Sequence, residues 1–532
     1  MTVLSRAEEH RSNRRFVLNS ILLIAVNLFM RTVGVSFSVY QSSVAGAEVM
    51  GLHSLLLGVY GLFITLGCGS IHLGTTRLTA AALGRSDGSG VRAVVRKCIR
   101  YAVVCGCGAA VLLFLSARWF GTVWLGDERV VSSLRVLSLS LLPMALSSCL
   151  SGYFTGVRRV ALSSAAGILA QLSRLGFGVM LLNRWAGCGA ERLCLAVVLG
   201  SVLSEWLGLC LSVPLFLFDL HRHFPADNTN GDIGAGDTPL LKQLTKITVP
   251  VTAAACLRSG LVTIQHSLIP RGLKASGASW ASSLASYGVL HGVVLPVVLF
   301  PSAFISSFSG LLVPEVAEAD AAGDRVRVAV ISQRVLWFGL VFSFGTAGIM
   351  SCFSYEIGHL ICRSAEAGQY IRMLAPLIPI MYIDSSVDAV LKGMGQQLYS
   401  MLVNIADALT SVILVWVLVP RMGLDGYIIS VYVTETLNTT LSLARMLPVS
   451  GVRVFLLQMV AEPLVAVIGA CALLRLWSDV YLIGCSTVAV LALLITLGVL
   501  LYLVLLTFLY RSDQRIRTFL KVYAPVGIPK GG

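Results

Sequence analysis

Long runs of apolar residues alternate with short polar connections along the whole chain. A helix needs about 20 apolar residues to cross the ~30 Å hydrocarbon core of a bilayer. Measured against that length, the sequence predicts about 14 transmembrane helices and no strands. The predicted spans are 16–39, 51–72, 99–117, 136–157, 160–182, 194–218, 247–269, 287–312, 335–353, 371–393, 399–419, 424–446, 454–476 and 483–510.

Composition supports the same class of protein. Of the 532 residues, 56% are hydrophobic and only 12% are charged. That charged fraction is about half the ~25% of a typical soluble domain. A mean hydropathy of +0.84 excludes an ordinary soluble enzyme, a disordered chain, a coiled coil and a secreted disulfide scaffold. The sequence therefore predicts an all-α polytopic membrane protein whose surroundings are the lipid bilayer.

The formal net charge of +14 is explained by topology. In a soluble protein this charge would indicate a nucleic-acid partner, whereas cytoplasmic loops of membrane proteins accumulate Lys and Arg. If the N-terminus is cytoplasmic, the inner segments carry more than twice as many basic residues as the outer ones. We predict no nucleic-acid partner, a location in the cytoplasmic (inner) membrane, and both termini in the cytoplasm.

Two halves of the chain echo one another. Asp87 and Asp324 follow similar small residues and precede similar basic segments, and Gly156 and Gly393 are separated by the same interval along the chain. We call this separation the repeat interval. Six spans per copy is an even number, so the copies are parallel repeats, which predicts two six-helix lobes around a central cavity. The predicted parts are an N-terminal lobe at 1–218, a cytoplasmic linker at 219–246, a C-terminal lobe at 247–446, and two extra helices with a basic tail at 447–532.

Sequence motifs for catalysis are absent. The 13 cysteines include no C-x2-C pair of the kind that holds zinc. The chain has no Walker motif, no H-E-x-x-H and no dinucleotide fingerprint. We therefore expect no enzyme activity, no metal site and no bound cofactor, with Na⁺ or H⁺ as the coupling ion in place of ATP.

Three arginines fall inside predicted spans, where an ionisable side chain costs at least ~3 kcal/mol on insertion scales. Arg31, Arg174 and Arg258 are candidate substrate-binding residues, because a guanidinium fork matches the oxygens of phosphate or pyrophosphate. Structural roles stay open. Arg31 could snorkel to an interface or pair with a neighbouring helix, and Arg174 could belong to a polar network with Glu205 as its partner.

Span ten carries the most informative group of charges. Asp384, Asp388 and Lys392 are spaced i, i+4, i+8, which places them on one face of one helix. Asp407 in span eleven can reach a similar depth, and the positions one repeat interval before the three aspartates carry no charge. We predict an ion-coupling site formed by Asp384, Asp388, Asp407 and Lys392. The alternative is a purely structural pair of Asp388 with Lys392.

Several segments resemble the stage V sporulation protein B and polysaccharide transporter family. They are Pro301-Ser-Ala-Phe-Ile-Ser-Ser-Phe-Ser-Gly-Leu-Leu-Val-Pro-Glu-Val-Ala-Glu318, Leu391-Lys-Gly-Met-Gly-Gln396, Asn404-Ile-Ala-Asp-Ala-Leu409 and Gly152-Tyr-Phe-Thr-Gly156. The resemblance covers about residues 16–450. It implies membership of the multidrug/oligosaccharidyl-lipid/polysaccharide exporter superfamily, which also contains lipid II flippases of the MurJ/MviN type. The implied fold is a V-shaped pair of six-helix bundles, and the implied cargo is a lipid-linked saccharide for the cell wall or another polysaccharide.

The chain departs from the lipid II flippase branch at three places. Phe37-Ser38 and Phe63-Ile64 stand where that branch carries charged residues, and no Arg lies between Tyr287 and Asp324. The resemblance therefore implies a lipid-linked saccharide without specifying lipid II. Two alternatives stay open. One is a multidrug or organic-cation antiporter of the same superfamily, and the other is a non-transporting scaffold that recruits envelope-biosynthesis enzymes.

Overall fold

The computed structural model describes residues 28–84, 88–157, 159–223, 237–360, 363–452, 457–481 and 488–512. Every regular element in these ranges is helical. The α-helices are α1 (28–45), α2 (Ala47–Cys68), α3 (Ile71–Gly84), α4 (Gly88–Trp119), α5 (Val130–Gly156), α6 (Val160–Arg184), α7 (Ala190–His223), α8 (Asp237–Ala275), α9 (Trp280–Gly288), α10 (Leu295–Val298), α11 (Ser302–Ala321), α12 (Arg325–Cys352), α13 (Ser354–Leu360), α14 (Ala365–Leu374), α15 (Ile378–Gly393), α16 (Gln397–Met422), α17 (Leu424–Ser450), α18 (Glu462–Tyr481) and α19 (Val488–Ser512).

The predicted all-α membrane fold is confirmed. Within the described ranges, 11 helices are long and apolar enough to cross a membrane. The other three predicted spans fall on helices α1, α8 and α17. Of the first predicted span, residues 16–27 lie outside the described part of the chain.

The internal repeat is visible in the helix boundaries. Helices α5 and α15 end at Gly156 and Gly393. These positions are one repeat interval apart, as the sequence comparison predicts. The interval therefore relates helix ends as well as individual side chains.

Individual contacts repeat with the same interval. A Cβ at Gly156 would lie 2.9 Å from the Cβ of Thr79, so α5 packs closely on α3. A Cβ at Gly393 would likewise lie 2.9 Å from the Cβ of Val316, where α15 packs on α11. Thr79 and Val316 are themselves one repeat interval apart. Each copy uses glycine at this crossing because a larger side chain would separate the two helices.

Predicted span 287–312 is not one continuous helix, and that prediction is wrong. A π-helical segment, Val289–Val294, follows α9, α10 ends at Val298, and α11 begins at Ser302. Pro301 lies in this interruption and has no backbone N–H with which to continue the hydrogen-bond ladder. The chain therefore re-enters a helix only after the proline.

The predicted linker at 219–246 is largely helical where the structure describes it. Residues 219–223 close α7 and residues 237–246 open α8, while 224–236 lie outside the described residues. Asp219 is 3% exposed, accepts a 2.9 Å hydrogen bond from the Tyr153 hydroxyl, and forms an ion pair with Arg159. A buried carboxylate needs such partners, and they fix the end of α7 against the neighbouring helices.

The chain forms two compact units. The first unit comprises residues 40–288 and 408–427, and the second unit comprises the described residues of 1–39, 289–407 and 428–532. Helices α8 and α9, which the sequence assigned to the C-terminal lobe, pack against α2 in the first unit. In the second unit, α18 and α19 bury a cluster that includes Ala466, Ala470 and Tyr502 against Val341 of α12.

A charged cluster joins three parts of the first unit. The Arg129 guanidinium donates to both carboxylate oxygens of Asp127, at 2.9 Å from Nε and 2.7 Å from Nη2, and to Glu48 at 2.9 Å. The Trp280 indole N–H donates to Asp127 at 3.3 Å. Burial raises the pKa of the Asp127 carboxyl, but the hydrogen bonds from Arg129 outweigh it, so the net shift is below the ordinary value of 3.8. The cluster ties the start of α2 and the start of α9 to the turn before α5.

Replacing Arg129 with Gln is expected to lower the free energy of unfolding by about 3 kcal/mol at neutral pH, because Asp127 is left buried without its cation. A lowered carboxyl pKa contributes stability that is present above pH 3.8 and is lost as the pH falls through the folded-state value. The difference in free energy of unfolding between wild type and Arg129→Gln should therefore become smaller at acidic pH. Thermal unfolding in detergent measures both effects, with Arg118→Gln as the control at an exposed arginine. Equal midpoints for the two variants at pH 7 would contradict the assignment.

Candidate functional site

Helix α15 carries the predicted acidic cluster on one face. Lys392 Nζ lies 3.1 Å from Asp388 Oδ2, so the ion pair that the spacing allows is present. The Ser400 hydroxyl at the start of α16 donates to the other oxygen of Asp388. Asp388 is therefore partnered on both oxygens, near the end of α15 at which Lys392 is 49% exposed.

This contact has a counterpart in the first unit. Ser163 Oγ donates to Ser151 Oγ at 3.0 Å, and the two serines precede Ser400 and Asp388 by one repeat interval each. In the second copy the donor is again a serine, Ser400, but the acceptor is the carboxylate of Asp388. The acidic cluster is therefore a charged version of a neutral contact that both copies share.

Asp384 lies one turn deeper, about 6 Å along the axis of α15 from Asp388. Its Oδ2 accepts a 3.1 Å hydrogen bond from Asn438 Nδ2 on α17. Asn438 is 6% exposed, and its amide oxygen is buried with no hydrogen-bond partner among the described residues. Thr439, the next residue, donates to the Ile380 carbonyl at 3.3 Å and joins α17 to α15 at the same depth.

The arrangement around Asp384 offers oxygen ligands in a buried place. A carboxylate and an amide oxygen are the groups with which proteins hold hard cations. The same carboxylate also suits a proton, because protonation removes the cost of a charge in an apolar environment. Asp407 is half-buried on α16, the helix that also provides Ser400. The second unit thus places Asp384 in contact with Asn438, and the part of Asp407 in an ion site stays a prediction.

Arg31 has a structural contact in the second unit. Its Nη2 donates to the carbonyl of Leu299 at 3.3 Å, directly after α10 ends. The Tyr382 hydroxyl donates to the neighbouring Val298 carbonyl at 2.5 Å. Carbonyls at the end of a helix lack intrahelical donors, and Arg31 and Tyr382 satisfy two of them. The side chain of Arg31 is nevertheless exposed.

Arg174 lies in a polar cluster of the first unit. It is half-buried on α6, and its charge acts on Glu205 of α7 and on His53 and Tyr60 of α2. The Tyr60 hydroxyl hydrogen-bonds Ser140 and the sulfur of Met144. Arg174 and Glu205 form no ion pair within 4 Å, so their pairing stays a prediction.

The three predicted arginines do not come together within one unit. Arg174 and Arg258 belong to the first unit, whereas Arg31 belongs to the second. Arg258 is exposed on α8, and no carboxylate of the described residues lies within 4 Å of it. Their grouping as one substrate site stays a prediction.

Sequence reasoning missed two residues next to the acidic cluster. Asn438 is polar but uncharged, and the sequence prediction considered only ionisable side chains in the spans. A buried amide inside a span is also energetically costly, so it too indicates a structural or functional role. Ser400 was missed because its role depends on a contact between helices. The repeat interval points to it, since Ser163 occupies the matching position in the first copy.

Comparison with known proteins identifies relatives along most of the chain. The MatE family model matches residues 279–417. Stage V sporulation protein B from Bacillus subtilis (strain 168) is 22% identical over 448 residues, which is 82% of this chain and 85% of the relative.

Solved structures agree with this resemblance at the level of the fold. The lipid II flippase MurJ in an inward closed conformation matches with a TM-score of 0.70 and 12% identity, over 92% of this chain and 99% of that chain. An inward-facing multidrug resistance MATE family transporter matches with a TM-score of 0.64 and 12% identity, over 80% of this chain and 98% of that chain. The resemblance inferred from the sequence is confirmed: a stage V sporulation protein B is similar to this chain over most of its length, and the fold is that of the flippase and multidrug transporter structures.

Proposed function

We propose that this protein is a flippase that moves a lipid-linked saccharide, a precursor of the cell wall or of another polysaccharide, across the membrane by alternating access. One observation favours a flippase over a multidrug transporter within the superfamily. The flippase structure covers 92% of this chain and the multidrug transporter covers 80%. The difference is about as long as two membrane helices with their connections, and this chain has two helices, α18 and α19, beyond its repeat.

The charges in the spans fit an anionic cargo. A lipid-linked saccharide carries phosphate or pyrophosphate, which the guanidinium groups of Arg31, Arg174 and Arg258 would bind. A transporter for organic cations would favour carboxylates in the corresponding positions. Among the predicted site residues, the carboxylates Asp384, Asp388 and Asp407 all belong to the second unit, which suits ion coupling better than cation cargo.

Ion coupling forms the second part of the proposal. Asp384, with the amide oxygen of Asn438, would bind Na⁺ or H⁺ and thereby change the charge of the second unit during the cycle. Lys392 would stay paired with Asp388 next to it, and Asp407 would supply a further oxygen. Moving one elementary charge through 100 mV is worth about 2.3 kcal/mol, which biases a two-state equilibrium by about fifty-fold.

The membrane and the orientation follow from the loop charges. We infer that the protein lies in the cytoplasmic (inner) membrane with both termini in the cytoplasm, because this orientation puts most Lys and Arg inside. The cargo would then enter from the inner leaflet and leave to the outer one. Enzymes of envelope biosynthesis are the partners that would supply and consume it.

Depletion of the protein in its host tests the proposal in the cell. Blocking a flippase is expected to cause accumulation of a lipid-linked precursor in the inner leaflet, measured by mass spectrometry of extracted lipids. Re-expression of the wild-type chain should restore the pool. An unchanged precursor pool in depleted cells would overturn the flippase assignment.

Two other functions are separated by direct tests. The MatE match and the multidrug transporter fold favour a drug antiporter as the second candidate, which predicts changed susceptibility to a panel of cationic drugs on deletion. A scaffold predicts instead that an Arg31→Ala, Arg174→Ala double variant complements a deletion as well as wild type. The flippase proposal expects neither result.

A further inference from the structure

The second unit contains a cavity of about 800 Å³ that is separate from the acidic cluster on α15. It lies between α12, the segment from α13 to α15, and α18. Its volume falls in the ~300–1,000 Å³ range of sites for small-molecule ligands. Most of its wall is apolar, with Phe344, Ala347, Pro379, Leu464, Val467 and Ile468 among the lining residues.

The remaining wall of the cavity is polar and contains two arginines. Arg475 forms a forked ion pair with Glu356, at 2.7 Å and 3.3 Å, and also donates to the Cys352 carbonyl. Arg372 packs over the ring of Tyr355 with 5.7 Å between the guanidinium carbon and the ring centre. Arg372 is exposed, and the structure places no described carboxylate within 4 Å of it.

The charged side chains at this wall sum to one net positive charge. Arg475 is neutralised by Glu356, whereas Arg372 keeps its charge and its donors. A ligand that fits must combine an apolar chain with a head of about one negative charge. A phosphodiester carries a single negative charge, whereas a phosphate monoester carries about −1.5 to −2 at pH 7. The match therefore favours a phosphodiester lipid over a monoester lipid carrier.

We propose that this cavity binds one anionic glycerophospholipid, with its phosphodiester on Arg372 and an acyl chain along the apolar wall between α12 and α18. The site goes beyond the proposed cargo path, because its residues are not among those assigned to cargo or coupling ion. The occupant would fill the gap between α12 and the additional helix α18. With both termini in the cytoplasm, the lipid would belong to the outer leaflet.

The site can be tested on the purified full-length protein. Lipid bound after mild delipidation and addition of phosphatidylglycerol or phosphatidylcholine is counted by native mass spectrometry. Wild type is expected to prefer phosphatidylglycerol, and Arg372→Gln to lose about tenfold of that preference, since one charge-assisted contact is removed. Arg118→Gln, at an exposed arginine of α4 in the first unit, is the matched control and should keep the preference.

Native thiols give a second readout that needs no arginine variant. Cys352 and Cys471 line the cavity, whereas Cys107 on α4 is exposed elsewhere. Phosphatidylglycerol should slow maleimide labelling of Cys471 relative to Cys107, and Ala472→Trp, which fills the cavity from an exposed lining position, should reduce lipid binding.

Three results would overturn the proposal. The first is equal binding of both lipids by wild type, with no slowing of Cys471 labelling. The second is a phosphatidylglycerol preference that survives Arg372→Gln. The third is displacement of the lipid by millimolar inorganic phosphate, which would make this a site for a soluble anion.

Discussion

Replacing Asp384 with Asn is expected to abolish gradient-dependent transport while the protein still folds and binds its cargo. Asn has nearly the same shape and keeps an oxygen for the hydrogen bond from Asn438, but it can neither carry a charge nor take up a proton. Losing one coupled charge removes a bias of up to about fifty-fold at 100 mV. Transport in proteoliposomes, with and without an imposed Na⁺ or H⁺ gradient, measures the effect.

The control for this variant is Asp425→Asn, which removes an exposed carboxylate from the first turn of α17. It should transport like wild type. If Asp384→Asn also transports fully and with the same gradient dependence, Asp384 has no part in coupling. The acidic cluster would then be structural, consistent with the Asp388–Lys392 pair alone.

Replacing Gly51 with Ala is expected to destabilise the first unit by about 2–3 kcal/mol, a large cost for one methyl group. A Cβ at this position would lie 2.8 Å from the carbonyl carbon of Leu284 and would overlap its oxygen. On the facing helix, a Cβ at Gly288 would meet the backbone of Ala47 and of Gly51. Helices α2 and α9 therefore touch backbone to backbone, and neither can move away without loosening the unit.

Gly61→Ala is the matched control because Gly61 lies on the same helix and a Cβ there has no atom within 4 Å. Alanine has the higher helix propensity by about 1 kcal/mol, so this variant should be neutral or slightly more stable. Thermal unfolding in detergent compares the two variants directly. Similar midpoints would show that the α2–α9 crossing tolerates a side chain.

The helices could be predicted because apolar runs of the required length leave few alternatives in a membrane protein. The break near Pro301 was harder to predict. Its run contains no charged residue, and the carbonyls that the interruption leaves free are satisfied by Arg31 and Tyr382 from other helices. Hydropathy reports the length of an apolar segment, but it does not report how the segment's backbone groups are paired.

The candidate site was predictable within one helix and less so between helices. The i, i+4 spacing of Asp388 and Lys392 correctly predicts their ion pair, because helix geometry alone brings them together. The contact of Asp384 with Asn438 joins two helices that are far apart in the sequence, and no local rule predicts it. The repeat interval is the exception, since it relates Ser400 and Asp388 to a pair in the first copy.

Direct measurement of lipid translocation tests the central claim. Purified protein is reconstituted into proteoliposomes that contain a labelled lipid-linked saccharide, and the fraction accessible to an impermeant reagent is followed over time under an imposed ion gradient. The account predicts translocation that requires the protein, responds to the gradient and disappears in Asp384→Asn. If wild type leaves every lipid-linked saccharide tested in its original leaflet while it exports organic cations from the same vesicles, the flippase assignment is contradicted.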